Sequence, residues 1–403
     1  MFSNIGSLFS IKSIDMLLGI WVIPFLIKKI GWEQYGVFAM SLALSMFFVN
    51  LLNYGFNLSA VRAVAKSKTD LKQINTIFNK VFSVKLFLLL VLTMFYFLLI
   101  YAFPQFGEHL KLYKYGFLLV VGDFFSLRWF FMGQERMKFM ALIHLAGAII
   151  YAFLVYLNIE TPEDYYKIPL YIAVGMFFTS FVSFIWVIKS YKIAIRLLSL
   201  NKVLFYLKYN FSSFVNLLLP STYGTVLVLI VGWLGTPVQV SLIHVGVKYT
   251  AAFSTLNNIL TNVFYPIASR TQKKIKAIRK SLIISGVIMS LLMFLSANFL
   301  VEFWLKSEKG IELQQIIIQL EYLSVVPVLM AVISSYGVNG LHVNYRDTTY
   351  GKITLVASVI MVLFAFWLVP TTDFMGGAFA FIIGRIIAAR LCYVYHLKYN
   401  LGG

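Results

Sequence analysis

Residues 7–26 read SLFSIKSIDMLLGIWVIPFL, with two charges, Lys12 and Asp15, directly before an apolar run. The run from Met16 to Ile27 cannot cross a membrane alone. Its twelve residues rise about 18 Å as a helix, against a hydrocarbon layer about 30 Å thick. A crossing helix must therefore begin near Phe2, which sets Lys12 and Asp15 close to the bilayer midplane. Each costs about 2.5–3.5 kcal/mol at that depth. Asn4, Lys12, Asp15 and Gly19 share an arc of roughly 80°, interrupted by Leu8. A largely polar or small stripe on a greasy helix faces a cavity or another helix, not lipid. The segment has no charged leader region and no small-residue cleavage site, so it is expected to remain as a first span.

The rest of the chain extends this reading. Of 403 residues, 60% are hydrophobic and 12% are charged, about half the charged share of an ordinary soluble domain. The sequence predicts an all-α polytopic membrane protein. Apolar stretches long enough to span recur near residues 2–27, 36–57, 82–103, 112–132, 138–158, 169–188, 210–233, 239–264, 281–304, 315–340, 353–370 and 375–396. The breaks are short and leave no room for an inserted soluble domain. Lys and Arg fall about three to one in favour of one set of loops, which the positive-inside rule assigns to the cytoplasm together with both termini. The net charge of +19 is thus expected to meet anionic lipid headgroups, not nucleic acid.

The basic segment KSYKIAIRLLSLNKVLFYLKYN divides the spans six and six, giving expected halves at 1–198 and 199–403. IKKIGWEQYGVF after the first span echoes LIVGWLGTPVQV after the seventh. NLSAVRAVAKSKTDLKQ is echoed by VFYPIASRTQKKIKAIRK. Repeats of the same orientation imply a substrate site between the halves.

Ionisable residues within the spans mark where function is expected. Five are cations, Lys12, Arg128, Lys248, Arg385 and Arg390, and three are acids, Asp15, Asp123 and Glu321. Arg128 and Arg390 lie near span ends, where long side chains can snorkel. Glu321 sits towards the outer end of its span. Asp123 has Arg128 and Lys12 as expected partners, and Lys85 and Glu302 are assigned to the interface. Lys248 and Arg385 lie near mid-span, beyond snorkelling reach, and are expected to act on a ligand. An excess of cations suits phosphate or carboxylate, whereas an exporter of cationic drugs needs unpaired acids. His144 and His244 are expected to pack or hydrogen-bond between helices. The single cysteine, Cys392, excludes an internal disulfide, and no metal-ligand cluster or enzymatic motif is present. The chain is expected not to be an enzyme and to need no cofactor.

Four stretches carry a family resemblance: IGWEQYGVFAM (30–40), NYGFNLSAVRAVAKSKTDLKQINTIFNKV (53–81), RWFFMGQERMKFMALIHL (128–145) and VGVKYTAAFSTLNNILTNVFYPIASR (245–270). In this order they resemble the Wzx-type flippases of lipid-linked oligosaccharides, within the multidrug/oligosaccharidyl-lipid/polysaccharide (MOP) exporter superfamily. The resemblance implies twelve helices in two six-helix bundles around a central cavity, a MATE-like fold. It implies transfer of an undecaprenyl-diphosphate-linked O-antigen or capsule repeat unit across the bacterial inner membrane, from cytoplasmic to periplasmic leaflet. A polysaccharide polymerase and a chain-length regulator would be its partners. Lys248 looks like the family's basic position in the eighth helix. Lys12 and Asp15 resemble the charged first-helix position of peptidoglycan-precursor flippases, with Lys in place of Arg. The expected diphosphate-binding set is Lys12, Lys248, Arg385 and Arg128. Asp15, Asp123 and Glu321 stand as charge partners or as sites coupling the cycle to H⁺ or Na⁺. The rival readings are an ion-coupled drug-type antiporter and a membrane polysaccharide polymerase or ligase, which would need a long outer loop carrying catalytic groups.

Overall fold

The third expected span starts earlier than its apolar run. Asp70 caps it, its carboxylate accepting from the Lys72 and Gln73 amides at 3.0 Å each, two donors a helix start leaves unsatisfied. The helix therefore runs from Leu71 to Ala102. In the computed structural model, residues 2–270, 275–305 and 310–399 are described, with side chains described outside 2–20, 212, 216–217, 219–222, 266–267, 269–270 and 304. Described residues form α1 (Phe2–Asn53), α2 (Phe56–Lys66), α3 (Leu71–Ala102), α4 (Pro104–Gly107), α5 (Leu110–Phe124), α6 (Arg128–Gly133), α7 (Met137–Asn158) and α8 (Ile168–Tyr191). The chain continues through α9 (Leu200–Leu234), α10 (Pro237–Arg270), α11 (Ile275–Leu305), α12 (Ile311–Leu323), α13 (Val326–Val332), a π-helical segment (Ile333–His342), α14 (Asp347–Thr371) and α15 (Gly376–Lys398).

Among the described residues, nine helical stretches are long and apolar enough to cross a membrane. They carry nine of the expected spans. The other three fall on the first half of α1, on α9 and on α10. The exposed faces are as informative as the lengths. On α11 the exposed residues include Ile284, Ile288, Leu291, Leu295, Phe299 and Phe303, a ridge of large apolar side chains at helical spacing. Water does not tolerate such a continuous surface, and acyl chains do. The protein is a multi-pass membrane protein.

Two compact units make up the chain: Met1–Val22 with Met40–Thr225, and Ile23–Ala39 with Val226–Gly403. The α1 helix breaks at Gly31, whose φ of 78° lies in the left-handed region that a side chain disfavours. In the first unit the core is aromatic, with Phe78, Trp129, Phe130 and Phe131 packed together. There α7 meets α8 at Gly147 and Gly175, where a Cβ on either residue would overlap the other's backbone oxygen. Such close crossings are how membrane helices gain packing contacts without a hydrophobic driving force. The second unit packs Ile333 and Leu341 of the π-helical segment against Ala357 of α14 and Ala388 and Cys392 of α15.

The basic segment between the expected halves is extended, not helical, over 193–199. Three polar residues one turn apart on α3 hold it. Asn75 Oδ1 accepts from the Ala194 amide at 3.0 Å, and Asn79 accepts from the Arg196 amide and donates to the Ala194 carbonyl, both at 2.9 Å. Ser83 Oγ accepts from the Leu198 amide at 3.0 Å. Alternate residues of the extended segment thus meet an i, i+4, i+8 stripe of the helix, and backbone groups that lack a ladder find partners. Asn79→Leu strands the Arg196 amide and the Ala194 carbonyl, at about 1–3 kcal/mol per group. Limited trypsin digestion in detergent should cut this variant after Lys192 or Arg196 well before the parent; equal cleavage rates would show that the stripe does not hold the segment.

Candidate functional site

The buried charge of the first unit centres on Lys85, in the middle of α3. It is 2% exposed. Its ammonium lies 3.3 Å from Asp123 Oδ2 and donates to the Asp123 carbonyl oxygen at 2.7 Å. Asn53, the last residue of α1, donates from Nδ2 to the same carboxylate oxygen at 2.9 Å. Three helices therefore meet at one ion pair. Asp123 lies one residue from the end of α5, so Lys85 also satisfies a terminal carbonyl and sits at the negative end of that helix's dipole. Lys85, assigned to the interface from its apolar run, is buried within the first unit and ion-paired there. One expectation is corrected. Asp123 is joined by Lys85, not by Arg128, which opens α6 half-buried, nor shown with Lys12. Lys12 and Asp15 lie outside the described side chains.

In the second unit the expected residues fall on three helices. Lys248 is exposed on α10, one turn beyond a buried His244. His244 Nδ1 is 2.9 Å from the Tyr35 hydroxyl, a hydrogen bond between helices as its apolar setting leads one to expect. Next to it, the Ser241 hydroxyl donates to the Trp32 carbonyl, so the IGWEQYG stretch is anchored on α10. Arg385 is half-buried on α15, with its guanidinium 5.1 Å from the centre of the Phe381 ring, a cation–π distance. Glu321 is half-buried on α12, and Arg390 is exposed on α15. The packing of α10 against both α12 and α15 puts these residues on neighbouring helices. His144 is half-buried on α7. Among the described residues no group of three His, Cys, Asp or Glu could hold a metal. The sequence reading missed Asn53 and Lys85 as members of the buried cluster.

Against this geometry, comparison with known proteins places the chain. A family model described as "Polysaccharide biosynthesis protein" matches residues 1–272. The chain belongs to this polysaccharide biosynthesis family. It is 24% identical over 97% of its length, and 95% of the relative's, to an Escherichia coli (strain K12) protein named "Putative O-antigen transporter". A namesake in Shigella dysenteriae is 22% identical over 98% of both chains. Among solved structures it is similar to the lipid II flippase MurJ in an inward closed conformation, with a TM-score of 0.79 and 14% identity over 96% of this chain and 87% of that one. An inward-facing multidrug resistance MATE transporter of the MOP superfamily gives a TM-score of 0.71 and 17% identity over 96% and 93%. The fold of this family member is thus the all-helical one of MATE and MurJ, as its motifs suggested. The Escherichia coli and Shigella dysenteriae relatives are both named as O-antigen transporters.

A buried ion pair is costly to break and cheap to replace as a whole. Removing one partner leaves an uncompensated charge, at about 3–5 kcal/mol, whereas an apolar pair of similar volume is often neutral. Asp123→Leu and Lys85→Met singly should each lower the thermal midpoint in detergent strongly. The Lys85→Met, Asp123→Leu double variant should recover most of that loss; additive losses would show that the two charges do not depend on each other.

Proposed function

We propose that this protein is a flippase moving a polyprenyl-diphosphate-linked oligosaccharide, an O-antigen or capsule repeat unit, from the cytoplasmic to the periplasmic leaflet of the inner membrane by alternating access. The observation that carries the reading is Lys248. It is exposed on α10, eleven residues and about 17 Å from the helix start. An ammonium at that depth does not face acyl chains, where it would cost about 2.5–3.5 kcal/mol. In this reading it faces water, in the part of the transporter that forms the substrate path. Arg385, half-buried on the adjoining α15, adds a planar donor fork suited to diphosphate oxygens.

The names of the relatives support the same reading, since both refer to O-antigen transport. In it, Lys12, Lys248, Arg385 and Arg128 hold the diphosphate and the glycan occupies the aqueous path. A polymerase and a chain-length regulator would act on the product. Asp123 serves as a structural tie, because its carboxylate is already engaged by Lys85 and Asn53. Coupling to H⁺ or Na⁺ is left to Asp15 or Glu321. The drug-antiporter reading fits less well, since a cationic substrate would meet Lys248 and Arg385 as like charges.

Lys248→Ala and Arg385→Ala should each reduce glycan export at least about tenfold in a complementation assay, as loss of a charge-assisted hydrogen bond worth about 1.5–3 kcal/mol implies. Protein inserted in the membrane should be unchanged. Lys248→Arg should keep part of the activity, because it keeps the charge. Full export by both alanine variants would remove the two cations from substrate binding.

A further inference from the structure

A second basic cluster opens α11, apart from the charges assigned to transport. Lys276, Arg279 and Lys280 lie at i, i+3 and i+4 within the first two turns, and Ile283 follows on the same face. The first turn holds no acid. Like charges at these spacings repel, and cations near a helix N-terminus oppose the positive end of its dipole. The face therefore carries a positive potential that a bound anion would offset.

The cluster lines a pocket of about 370 Å³, completed by Tyr336, Ile283 and Ile284. That volume suits a headgroup and lies at the low end of small-molecule sites, about 300–1,000 Å³. Tyr336 belongs to the π-helical segment, a form found often at functional sites. Its ring is wedged by the Arg279 guanidinium at 5.4 Å, the Tyr393 ring at 5.1 Å and the His396 ring at 5.2 Å. These contacts hold the Tyr336 ring in the pocket wall. Lys276 and Lys280 are exposed, with ammonium groups open to a ligand.

The class of anion follows from the other end of the pocket. Ile284 continues into Ile288, Leu291 and Leu295, all exposed on the apolar ridge of α11. A soluble phosphate or a nucleic acid has no use for that ridge. An amphiphile with an anionic head and an apolar chain matches both parts. The Lys and Arg distribution assigns this end of α11 to the cytoplasm, where anionic headgroups attract basic pockets between helices.

We propose that this pocket binds the phosphate group of an anionic lipid, whose chain lies along Ile284, Ile288, Leu291 and Leu295. A bilayer phospholipid and the polyprenyl diphosphate carrier share that chemistry. The proposal is independent of glycan transport, since it concerns lipid retention alone.

The test uses the full-length protein in phosphatidylcholine nanodiscs carrying phosphatidylglycerol in one arm and undecaprenyl diphosphate in the other, at equal mole fraction. Retained lipid is read by native mass spectrometry. The parent should retain the anionic lipid over phosphatidylcholine. Lys276→Gln with Lys280→Gln should weaken retention roughly 30-fold, from about fivefold per cation near a membrane surface. Tyr336→Phe, which removes one hydroxyl, should weaken it roughly tenfold and gives a second variant if the first folds poorly. Stronger retention of undecaprenyl diphosphate would identify the carrier as the occupant, and stronger retention of phosphatidylglycerol a bilayer lipid; both support the site. Equal retention by parent and variants, or no preference over phosphatidylcholine in the parent, would overturn it.

Discussion

Lys85 cannot be left alone. It is enclosed by protein at the middle of α3, where burial removes the screening that solvent would give. Asp123 and Asn53 resolve that constraint, and in doing so they fix α3, α5 and the end of α1 at one point. The same rule sorts the other charges. Where an ionisable group is enclosed, it has a partner, as Lys85 does. Lys248 is exposed on α10.

Much of the fold was legible because the bilayer fixes length and hydropathy together. Among the described residues nine of the expected spans fall on helical stretches apolar enough to cross, some of them interrupted by a turn, and the motif around Gly31 marks a real break in α1. What escaped was pairing across sequence. Lys85 and Asp123 are 38 residues apart, and no local pattern connects them. The early start of α3 was missed for a local reason as well. Counting a span from its first apolar residue ignores the polar turns before it, although Asp70 with Gln73 three residues later is a helix-start signal. The Asn75, Asn79, Ser83 stripe was equally visible at i, i+4, i+8. Its role needed the extended segment 194–198, whose backbone it satisfies.

The distribution of charge also separates the transport readings. In the first unit Asp123 is paired with Lys85, and in the second Lys248 is exposed and Arg385 half-buried on adjoining helices. That balance suits a substrate bearing phosphate. The family assignment and the relatives named for O-antigen transport point the same way. The basic pocket of α11 extends the theme to lipid phosphate at the membrane edge, with its apolar ridge supplying the chain contact.

The central claim is that cations of the transport path recognise diphosphate. Purified protein in proteoliposomes tests it, with an oligosaccharide linked to undecaprenol through a diphosphate or through an uncharged ether, each loaded in one leaflet. A membrane-impermeant glycan-oxidising reagent reports arrival in the other leaflet. The account predicts transfer of the diphosphate lipid and little transfer of the ether. Equal transfer of both, or retention of both in the loaded leaflet by folded protein, would contradict it.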